Sequence, residues 1–216
     1  MKISPNNLRR TATTLLCLAI PLLFPTSSPG DPPVPPTPGK APAPAIRWEQ
    51  REVPLDAAIR QKYPETIVLV TAAHSNGPPN IITVGWSMFC SGDPVMVAIA
   101  IGKQRYSHGL IAASRSFVYC FPDAAMEKAV RYCGTHSGKN VDKFKETGLT
   151  PLKGKQVAAP LIQECPVNFE CEVVQAVDAG SHTIFIGRVV AAWMAQTNTL
   201  PPRLYNLGGG QFLPLP

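Results

Sequence analysis

A series of short apolar runs separated by turn residues most restricts the fold that this sequence can adopt. The runs TIVLVTAA (66–73), NIITVGWSMF (80–89), VMVAIAIG (95–102) and FVYCF (117–121) are rich in valine, isoleucine and aromatic residues. Runs of this length and composition, bounded by glycine, proline, asparagine and aspartate, are typical of β-strands. A mainly β fold is therefore expected.

The residues between neighbouring runs predict antiparallel hairpins. NGPP (76–79) separates the first two runs, and SGDP (91–94) precedes the third. Two later runs, FECEVVQAV (169–177) and HTIFIGRVVAAW (182–193), are separated by DAGS. These tetrapeptides contain the residues that tight turns require. Consecutive hairpins predict an antiparallel barrel or sandwich.

Few segments predict helices. Residues 123–134 place apolar side chains on one helical face, with Asp123 as the expected N-cap and Gly134 as the expected end. VDKFKETG (141–148) is long enough for one or two helical turns. The helices are therefore expected to be short additions to the strands. The apolar face of the first helix comprises Met126, Ala129, Val130 and Cys133.

The amino-terminal segment differs in composition from the rest of the chain. Residues 1–24 combine cations with an apolar run from Ala12 to Phe24, which is typical of a signal peptide and too short for a stable membrane span. No A-x-A cleavage site follows that run, so a start codon upstream of the true domain is an alternative source of the segment. A cytoplasmic location is favoured over export by a signal or twin-arginine route.

Prolines predict a linker after this segment. Ten of the 24 residues from Pro21 to Pro44 are proline. Such a stretch cannot complete a hydrogen-bond ladder or bury much apolar area. We therefore interpret residues 25–45 as a proline-rich linker and residues 46–216 as one domain, which is long enough for a single hydrophobic core.

Charge and cysteine content argue against two classes of function. The net charge is +6, and half of it comes from Lys2, Arg9, Arg10 and Lys40 against Asp31. The domain therefore has a mild cationic excess without a polybasic stripe, which suits a small anionic ligand rather than nucleic acid. The six cysteines form no C-x-x-C pair and have no histidine at zinc-finger spacing. We expect no metal site and interpret the cysteines as buried thiols in a reducing compartment, in preference to disulfides.

The stretch GKQRYSHGLIAASRSF (102–117) has the composition of an anion site at the start of a helix. Ser107 is expected to cap a helix through HGLIAAS, whose first turn has free N–H groups and positive dipole character. Together with Arg105, these groups outline a phosphate site. The alternative from this stretch alone is that Arg105 is a solvated surface cation and Ser107 only a helix cap.

Four segments taken together resemble one protein family. They are NIITVGWSMFCSGDPVMVAIAIGKQRYSHGLI, CGTHSGKNVDKFKETGLT, APLIQECPVNFECEV and GSHTIFIGRVVAA. In this order and at these spacings, from Tyr63 to Gly210, they are similar to the flavin reductase-like, flavoredoxin-type family of FMN-binding proteins. The resemblance implies a split β-barrel of antiparallel strands with a few short helices, and a homodimer with the flavin near the subunit interface. It also implies FMN as cofactor, with FAD as an alternative, and NAD(P)H as co-substrate.

The resemblance assigns the flavin phosphate to the stretch 102–117. Arg105, Ser107 and the helix amides would be its donors, with Tyr106 and His108 on either side. The loop SGKNVDKF (137–144) resembles the family segment that closes over the site. In that loop Lys143 would add charge at the phosphate and Asp142 would hold the loop, although a helix cap with surface lysines is the alternative.

The segment TVGWSMFCS (83–91) resembles the family segment along the ribityl chain and the isoalloxazine ring. A flat ring needs apolar contact and a few polar groups, both of which this segment contains. The alternative is ordinary strand alternation, with Trp86 and Phe89 in the core. The candidate cofactor residues here are Thr83, Trp86, Ser87, Cys90 and Ser91.

His182 is the candidate catalytic residue. By resemblance it lies beside the flavin where the nicotinamide stacks, to orient the carboxamide or supply a proton; the alternative is a turn histidine without a role. One departure from the family is Cys120, where many relatives have asparagine. GGG (208–210) has no helix after it, so a Rossmann dinucleotide fold is not expected.

Two functions follow from the resemblance. The first is an NAD(P)H-dependent flavin reductase that passes electrons to a further acceptor. The second is a non-enzymatic FMN electron carrier that serves a redox partner protein. Hydride transfer requires stacked rings rather than an acid–base pair, so the lack of a catalytic triad in the sequence does not argue against the reductase. A barrel that has lost the activity is a third alternative.

Overall fold

Strands dominate the computed structural model, which describes residues 48–74 and 77–215. The signal-like segment 1–24 and the linker 25–45 lie outside the described residues. From Arg51 onward the chain forms a compact unit. The strands are β1 (Glu65–Thr66), β2 (Val68–Ala72), β3 (Asn80–Val84), β4 (Ser87–Gly92), β5 (Val95–Gly102), β6 (Ser116–Phe121), β7 (Pro151–Leu152), β8 (Leu161–Ile162), β9 (Val167–Ala179), β10 (His182–Met194), β11 (Arg203–Gly208) and β12 (Gln211–Leu215).

The helices of the described residues are short, as expected. The sequence prediction placed two of them, at 123–134 and 141–148, and the helix after Arg105 was expected from the anion motif. Short 3-10 turns also occur at Arg60–Lys62 and Ala124–Met126. The α-helices are α1 (Leu55–Ile59), α2 (Tyr106–Ser114), α3 (Glu127–Thr135) and α4 (Lys143–Thr147).

The main sheet has seven antiparallel strands in the order β3-β2-β6-β9-β10-β5-β4. Its two edge strands, β3 and β4, are consecutive in sequence and are joined only by Gly85 and Trp86. Two residues cannot cross a flat seven-stranded sheet, so the sheet must curl until its edges meet. The Ala100 N–H donates to the Trp86 carbonyl at 2.9 Å where this crossing occurs. This curled half-barrel confirms the expected split β-barrel class.

The three predicted hairpins are present, but two predicted strands are interrupted. The run 66–73 was predicted as one strand, but Thr66 belongs to β1 and β2 begins at Val68. β2 pairs with β3, β4 with β5, and β9 with β10, all antiparallel. The run 80–89 was predicted as one strand, but it forms β3 and β4 with a break at Gly85 and Trp86. The prediction was wrong there because the chain changes sheet edge at this point. A Cβ at position 85 would overlap the Glu65 carboxylate.

Alternating side chains of the sheet belong to two apolar clusters, one on each face. Val68 and Val70 of β2 pack with Leu110 and Ile111 of α2. Leu69 between them points to the other face, where Val130 and other residues of α3 and α4 cover the sheet. Every residue of β2 is buried, as expected for a strand covered on both faces. The helices thus hold β2 and its neighbour β3 rigidly beneath the site described below.

α3 begins later than predicted, at Glu127, and also ends later. The Asp123 carboxylate accepts the Ala125 N–H at 2.8 Å at the start of the preceding 3-10 turn. Met126, Val130 and Cys133 are buried, and Ala129 is partly buried against them, which confirms the predicted face. The predicted end at Gly134 was wrong, since α3 runs to Thr135. Position 134 instead lets the helix approach β3, because an added Cβ would lie 3.3 Å from the Thr83 Cβ.

The carboxyl-terminal hairpin was not predicted. β11 and β12 pair with each other, and β1 pairs with β11 to form a separate three-stranded sheet. Gly209 and Gly210, part of the GGG sequence, form the turn between these strands, and both have positive φ angles. This turn type explains the glycines without any nucleotide-binding role.

Four of the cysteines are buried free thiols, as expected: Cys120, Cys133, Cys165 and Cys171. Cys90 is exposed, so the expectation was wrong for that residue, and Cys17 lies outside the described residues. Within residues 48–74 and 77–215, no group of three or more histidine, cysteine and acidic side chains is placed to hold a metal ion. A search of the same residues finds no helix with the length and apolar character that crossing a membrane requires.

Candidate functional site

Two adjoining pockets along β3 collect most of the predicted site residues. The first, which we call the α2 pocket, lies between β3, the first turn of α2, and residues 133–138, and has a volume of about 150 Å³. The second, the β4 pocket, lies around the crossing from β3 to β4, beside Gly102 and His182, and has a volume of about 190 Å³. Arg105 and Ile82 line both pockets. The two pockets are therefore adjacent, and we refer to them together as the groove.

Arg105 provides positive charge where the two pockets meet. It is the N-cap residue of α2 and is exposed. Among the residues that the structure describes, its guanidinium has no hydrogen-bond or ion-pair partner. The His108 N–H donates to the Arg105 carbonyl at 2.9 Å, but the N–H groups of Tyr106 and Ser107 precede the first helical hydrogen bond and add positive potential at the same place. Tyr106 lines the α2 pocket beside this cation.

Ser107 lines the α2 pocket but does not cap the helix. α2 begins at Tyr106, so Ser107 lies inside the first turn. Its Oγ instead accepts a hydrogen bond from Asn80 Nδ2 at 2.7 Å. The predicted capping role was therefore wrong, because the Ser107 hydroxyl accepts its hydrogen bond from the asparagine of β3 and not from a backbone N–H of the helix. Ser107 is almost fully buried and keeps its hydroxyl hydrogen for another acceptor.

Lys143 forms a buried part of the α2 pocket wall. Only 3% of its surface is exposed, and its Nζ donates to the carbonyls of Ile81 and Cys133 at 2.7 Å each. Burial lowers the pKa of this ammonium, and the nearby Arg105 lowers it further, although Cys133 opposes the shift. An ammonium has three N–H donors, so one remains for a ligand in the pocket.

Asp142 lies next to Lys143 but lines neither pocket. Its carboxylate accepts the Lys145 N–H at 3.2 Å and caps α4. For Asp142, the structure therefore agrees with the alternative interpretation, in which this residue is a helix cap. The cap fixes the start of α4, and the first residue of that helix is Lys143, so Asp142 contributes to the site through the helix position.

His182 and Trp86 stand side by side in the β4 pocket. Their ring centroids are 5.0 Å apart, and the ring planes are inclined by 34°. Ser181 Oγ lies 2.8 Å from His182 Nδ1, which leaves Nε2 without a partner among the described residues. Thr83 lines the same pocket and donates its hydroxyl hydrogen to the Val130 carbonyl at 2.6 Å.

The aromatic residues of 83–91 are not core residues. Trp86 is 47% exposed and Phe89 is 46% exposed. The alternative in which strand alternation buries both is therefore wrong. Phe89 contacts the edges of neighbouring aromatic rings, and Trp86 faces the β4 pocket.

Besides Asp142, four predicted cofactor residues lie outside both pockets. Ser87 Oγ is 3.0 Å from the Tyr119 hydroxyl, and this contact lowers the pKa of Tyr119 against the larger effect of burial, which raises it. Cys90 and Ser91 lie at a register shift farther along β4. His108 Nε2 is 2.8 Å from Thr183 Oγ1, and its ring contacts Phe185. The described pockets therefore bring together Thr83, Trp86, Arg105, Tyr106, Ser107, Lys143 and His182.

Sequence reasoning missed several polar residues of the groove, among them Asn80 and Glu65. Asn80 lines the α2 pocket, and the only sequence signal was a polar residue between two prolines and a strand. Glu65 lines the β4 pocket; its carboxylate pairs with Lys62 and accepts from Asn206 Nδ2. Neither residue belongs to a recognisable motif, since their partners come from distant parts of the chain.

A larger pocket, of about 610 Å³, lies elsewhere, between the end of α2 and the loop before β8. It contains no predicted site residue. Arg115 on its wall donates to the Val173 carbonyl at 2.9 Å, so the charge there already has an acceptor. We place the functional site in the smaller groove because unpaired polar groups converge on it.

The residues of the groove fit a flavin nucleotide. Such a ligand has an anionic phosphate, a polar ribityl chain and a flat ring system. The α2 pocket offers Arg105, Ser107, helix amides and one Lys143 donor, which are the groups that a phosphate requires. The β4 pocket offers the exposed face of Trp86 and the side chain of His182 beside it. Asn80 Oδ1 is buried without a partner in the described residues, which also indicates a ligand group nearby.

Comparisons with known proteins point to the same ligand class. A family model described as a flavin reductase like domain matches residues 60–212, which include both pockets. An NADH-dependent FAD reductase from Streptomyces globisporus is 30% identical over 153 residues, covering 69% of this chain and 79% of that protein. For three further curated relatives, the match to this chain covers 63%, 75% and 54% of the relative's own length.

Two solved structures share this fold at detectable sequence identity. An FMN-binding protein from Thermus thermophilus is 25% identical with a TM-score of 0.68, covering 78% of this chain and 96% of that one. The flavoredoxin of Desulfovibrio vulgaris (Miyazaki F) is 26% identical with a TM-score of 0.65, covering 71% and 88% of the two chains.

Proposed function

The chain belongs to the flavin reductase like domain family, and from this premise we propose that it is an NAD(P)H-dependent flavin reductase that binds FMN. The observation that carries the proposal is the groove in which an unpaired Arg105 and the start of α2 adjoin the Trp86–His182 pair. Positive charge at one end and an aromatic wall at the other match the two ends of a flavin nucleotide.

The α2 pocket binds the phosphate in this proposal. Arg105 donates a charge-assisted hydrogen bond, and Ser107 donates its free hydroxyl hydrogen. Lys143 supplies its remaining N–H from the buried side. These donors are held by secondary structure, so little reorganisation accompanies binding. FMN is favoured over FAD because one terminal phosphate suffices to use these donors.

The β4 pocket holds the ring system and admits the nicotinamide. When bound, the flavin accepts a hydride from the reduced nicotinamide and passes electrons to a further acceptor. Trp86 provides a flat wall, and its contact with His182 restricts the imidazole. The free Nε2 of His182 orients the carboxamide of the dinucleotide by a hydrogen bond. Alignment of the two rings, rather than acid–base chemistry, is the contribution of the protein.

The experiment is an anaerobic titration of the full chain followed by absorbance. Protein is mixed with FMN, separated from free flavin, and then treated with NADH and, separately, NADPH. We expect a bound flavin band that bleaches rapidly with at least one dinucleotide. The absence of any bound flavin band, with FMN or with FAD, would contradict the proposal and favour a barrel without the activity.

A second candidate function is a non-enzymatic electron carrier. The similarity to the flavoredoxin of Desulfovibrio vulgaris supports it, since that relation is as close as the similarity to the Thermus protein. In this case the bound flavin would bleach with dithionite but not with either dinucleotide. A reduced redox partner protein would then be the donor.

We also propose that the protein is a homodimer. Met88 and Phe89 of β4, Val95 of β5, and Val174 and Val177 of β9 are exposed large apolar side chains. β4, β5, β10 and β9 are neighbouring strands, and their register places Met88 and Val177 on one face and Phe89 and Val95 on the other. A second copy that packs around this end of the sheet would remove these side chains from water. Sedimentation equilibrium that gives the monomer mass at micromolar concentration would contradict the dimer.

The free buried thiols support a reducing compartment, and we propose a cytoplasmic location. Fractionation of cells that express the full chain tests this directly. Recovery of the protein in the exported fraction would contradict it.

A further inference from the structure

Asn80 occupies a buried position between two walls of the α2 pocket. It is the first residue of β3, and only 3% of its surface is exposed. Its Nδ2 donates to Ser107 Oγ at 2.7 Å, which links β3 to the first turn of α2. Its Oδ1 is buried and has no hydrogen-bond partner among the described residues. A buried amide that uses only part of its hydrogen-bonding capacity is uncommon and indicates a role beyond packing.

The loop that follows α3 closes against the same amide. A Cβ added at Gly138 would overlap Asn80 Oδ1, so the loop backbone lies directly on the side chain. Gly138, Ser107 and Asn80 all line the α2 pocket. The amide therefore fixes the separation between the start of α2 and the loop, which are the two sides of the pocket.

The hydrogen bond to Ser107 determines where its hydroxyl hydrogen points. A hydroxyl has one donor, and its Oγ already accepts from Asn80, so the hydrogen is free to point into the pocket. If the amide is rotated by half a turn, its oxygen accepts from Ser107 and its nitrogen takes the buried position against Gly138. In the orientation found in the structure, the Ser107 hydroxyl is the donor that the Asn80–Ser107 pair presents to a ligand. Such a donor matches a ligand rich in acceptor oxygens.

We propose that Asn80 is a positioning residue for the phosphate of the bound flavin nucleotide, acting through Ser107 and the loop at Gly138. This inference rests on the proposed function. It predicts that Asn80 contributes to binding only where a phosphate is present. Riboflavin, which has the same ring and ribityl chain without the phosphate, is therefore the control ligand to compare with FMN.

The test compares dissociation constants for FMN and riboflavin by fluorescence titration of the full chain. In Asn80→Asp the carboxylate accepts the Ser107 hydrogen and adds a negative charge, so the preference for FMN over riboflavin should fall about tenfold or more. Gly138→Ala should reduce the same preference by displacing the amide. Gly109→Ala is the control, since an added Cβ there has nothing within 4 Å, and it should leave the preference unchanged.

The outcomes separate this inference from the proposed function. If the unmodified protein binds neither flavin, the proposed function fails, and the inference fails with it. If it prefers FMN, and both Asn80→Asp and Gly138→Ala keep the full preference, only the positioning role is overturned. Equal weakening of FMN and riboflavin in both variants would also overturn it, because a general loss of structure affects both ligands alike.

Discussion

The imidazole of His182 lies beside the indole of Trp86, with ring centroids 5.0 Å apart. The two residues come from separate parts of the sheet: Trp86 from the crossing between β3 and β4, and His182 from the first position of β10. His182 is directly opposite Gly102 in the β5–β10 register. Trp86, His182 and Gly102 therefore meet at the wall of the β4 pocket.

Substitution of His182 tests the hydride-transfer role. We expect His182→Ala to slow reduction of bound flavin by NAD(P)H by about 10- to 100-fold, because loss of alignment of the two rings is costly. FMN affinity should stay within about twofold, since the phosphate donors lie in the other pocket. Stopped-flow absorbance measures the first quantity, and fluorescence titration measures the second.

His74→Ala is the matched control for this substitution. His74 lines the 610 Å³ pocket and neither pocket of the groove, so its substitution should leave the reduction rate unchanged. A His182→Ala protein that is reduced as fast as the unmodified protein would remove His182 from the site.

Arg105 should contribute to FMN affinity through the phosphate alone. A charge-assisted hydrogen bond is worth about 1.5–3 kcal/mol, so Arg105→Ala should raise the FMN dissociation constant roughly 10- to 100-fold. Riboflavin affinity should change little. Lys103 is the control cation, since it lies two residues away and pairs with Asp178 at 2.6 Å outside both pockets. Equal FMN affinity in Arg105→Ala and Lys103→Ala would refute the phosphate assignment.

The strands and hairpins were predictable because their signals are local. The run 95–102 coincides with β5 (Val95–Gly102), and the turn between β9 and β10 consists of Gly180 and Ser181, the second half of the predicted DAGS. The break at Gly85 was not predictable, because it forms where the two edges of the curled sheet meet, and no local sequence pattern reports that meeting. The β11–β12 hairpin was missed because Pro214 interrupts the strand pattern of β12 and the glycines were considered only as a nucleotide motif.

The site was predictable where a motif marks it and not elsewhere. Arg105 and Ser107 belong to a helix start that can be read from the sequence, and the structure brings them to one pocket. Asn80 contacts Ser107, which is 27 residues away, so only the folded chain reveals the pair. Ser107 was misassigned as a cap because the sequence cannot show which group occupies its hydroxyl.

Lys143 predicts a pH dependence of phosphate binding. Burial lowers the pKa of its ammonium from the usual value of 10.5, so the group loses its proton at a lower pH than an exposed lysine. A bound phosphate favours the charged form. The preference for FMN over riboflavin should therefore be complete below this lowered pKa and decline as pH rises through it.

The measurement is the ratio of the two flavin dissociation constants between about pH 7 and about pH 10. Riboflavin cancels any titration of the ring itself. Lys143→Met should abolish the pH dependence, whereas Lys145→Met, an exposed position of α4, should retain it. A ratio that is independent of pH in the unmodified protein would exclude a phosphate contact by Lys143.

The Glu170 carboxylate predicts a stability difference that is independent of the flavin. Glu170 is 0% exposed and accepts the backbone N–H groups of Lys155, Gln156 and Val157 at 2.7–3.0 Å. The indole N–H of Trp193 donates to it at 2.8 Å. Burial alone would raise the pKa of this carboxyl, but the four donors together lower it below its usual value. The carboxylate therefore holds the loop before β8 against β9 and β10.

Glu170→Gln should lower the free energy of unfolding by about 2–4 kcal/mol at neutral pH, because an amide cannot accept all four donors. A lowered pKa in the folded state means that the carboxylate stabilises the protein above the unfolded-state pKa, and that this contribution is lost as pH falls through the folded-state pKa. The difference between the unmodified protein and Glu170→Gln should thus shrink below about pH 4.5. Glu172→Gln, two positions along the same strand in an exposed pair with Arg188, should change stability by less than about 1 kcal/mol. Urea unfolding at several pH values measures all three proteins, and a pH-independent difference would show that Glu170 acts by packing rather than by its charge.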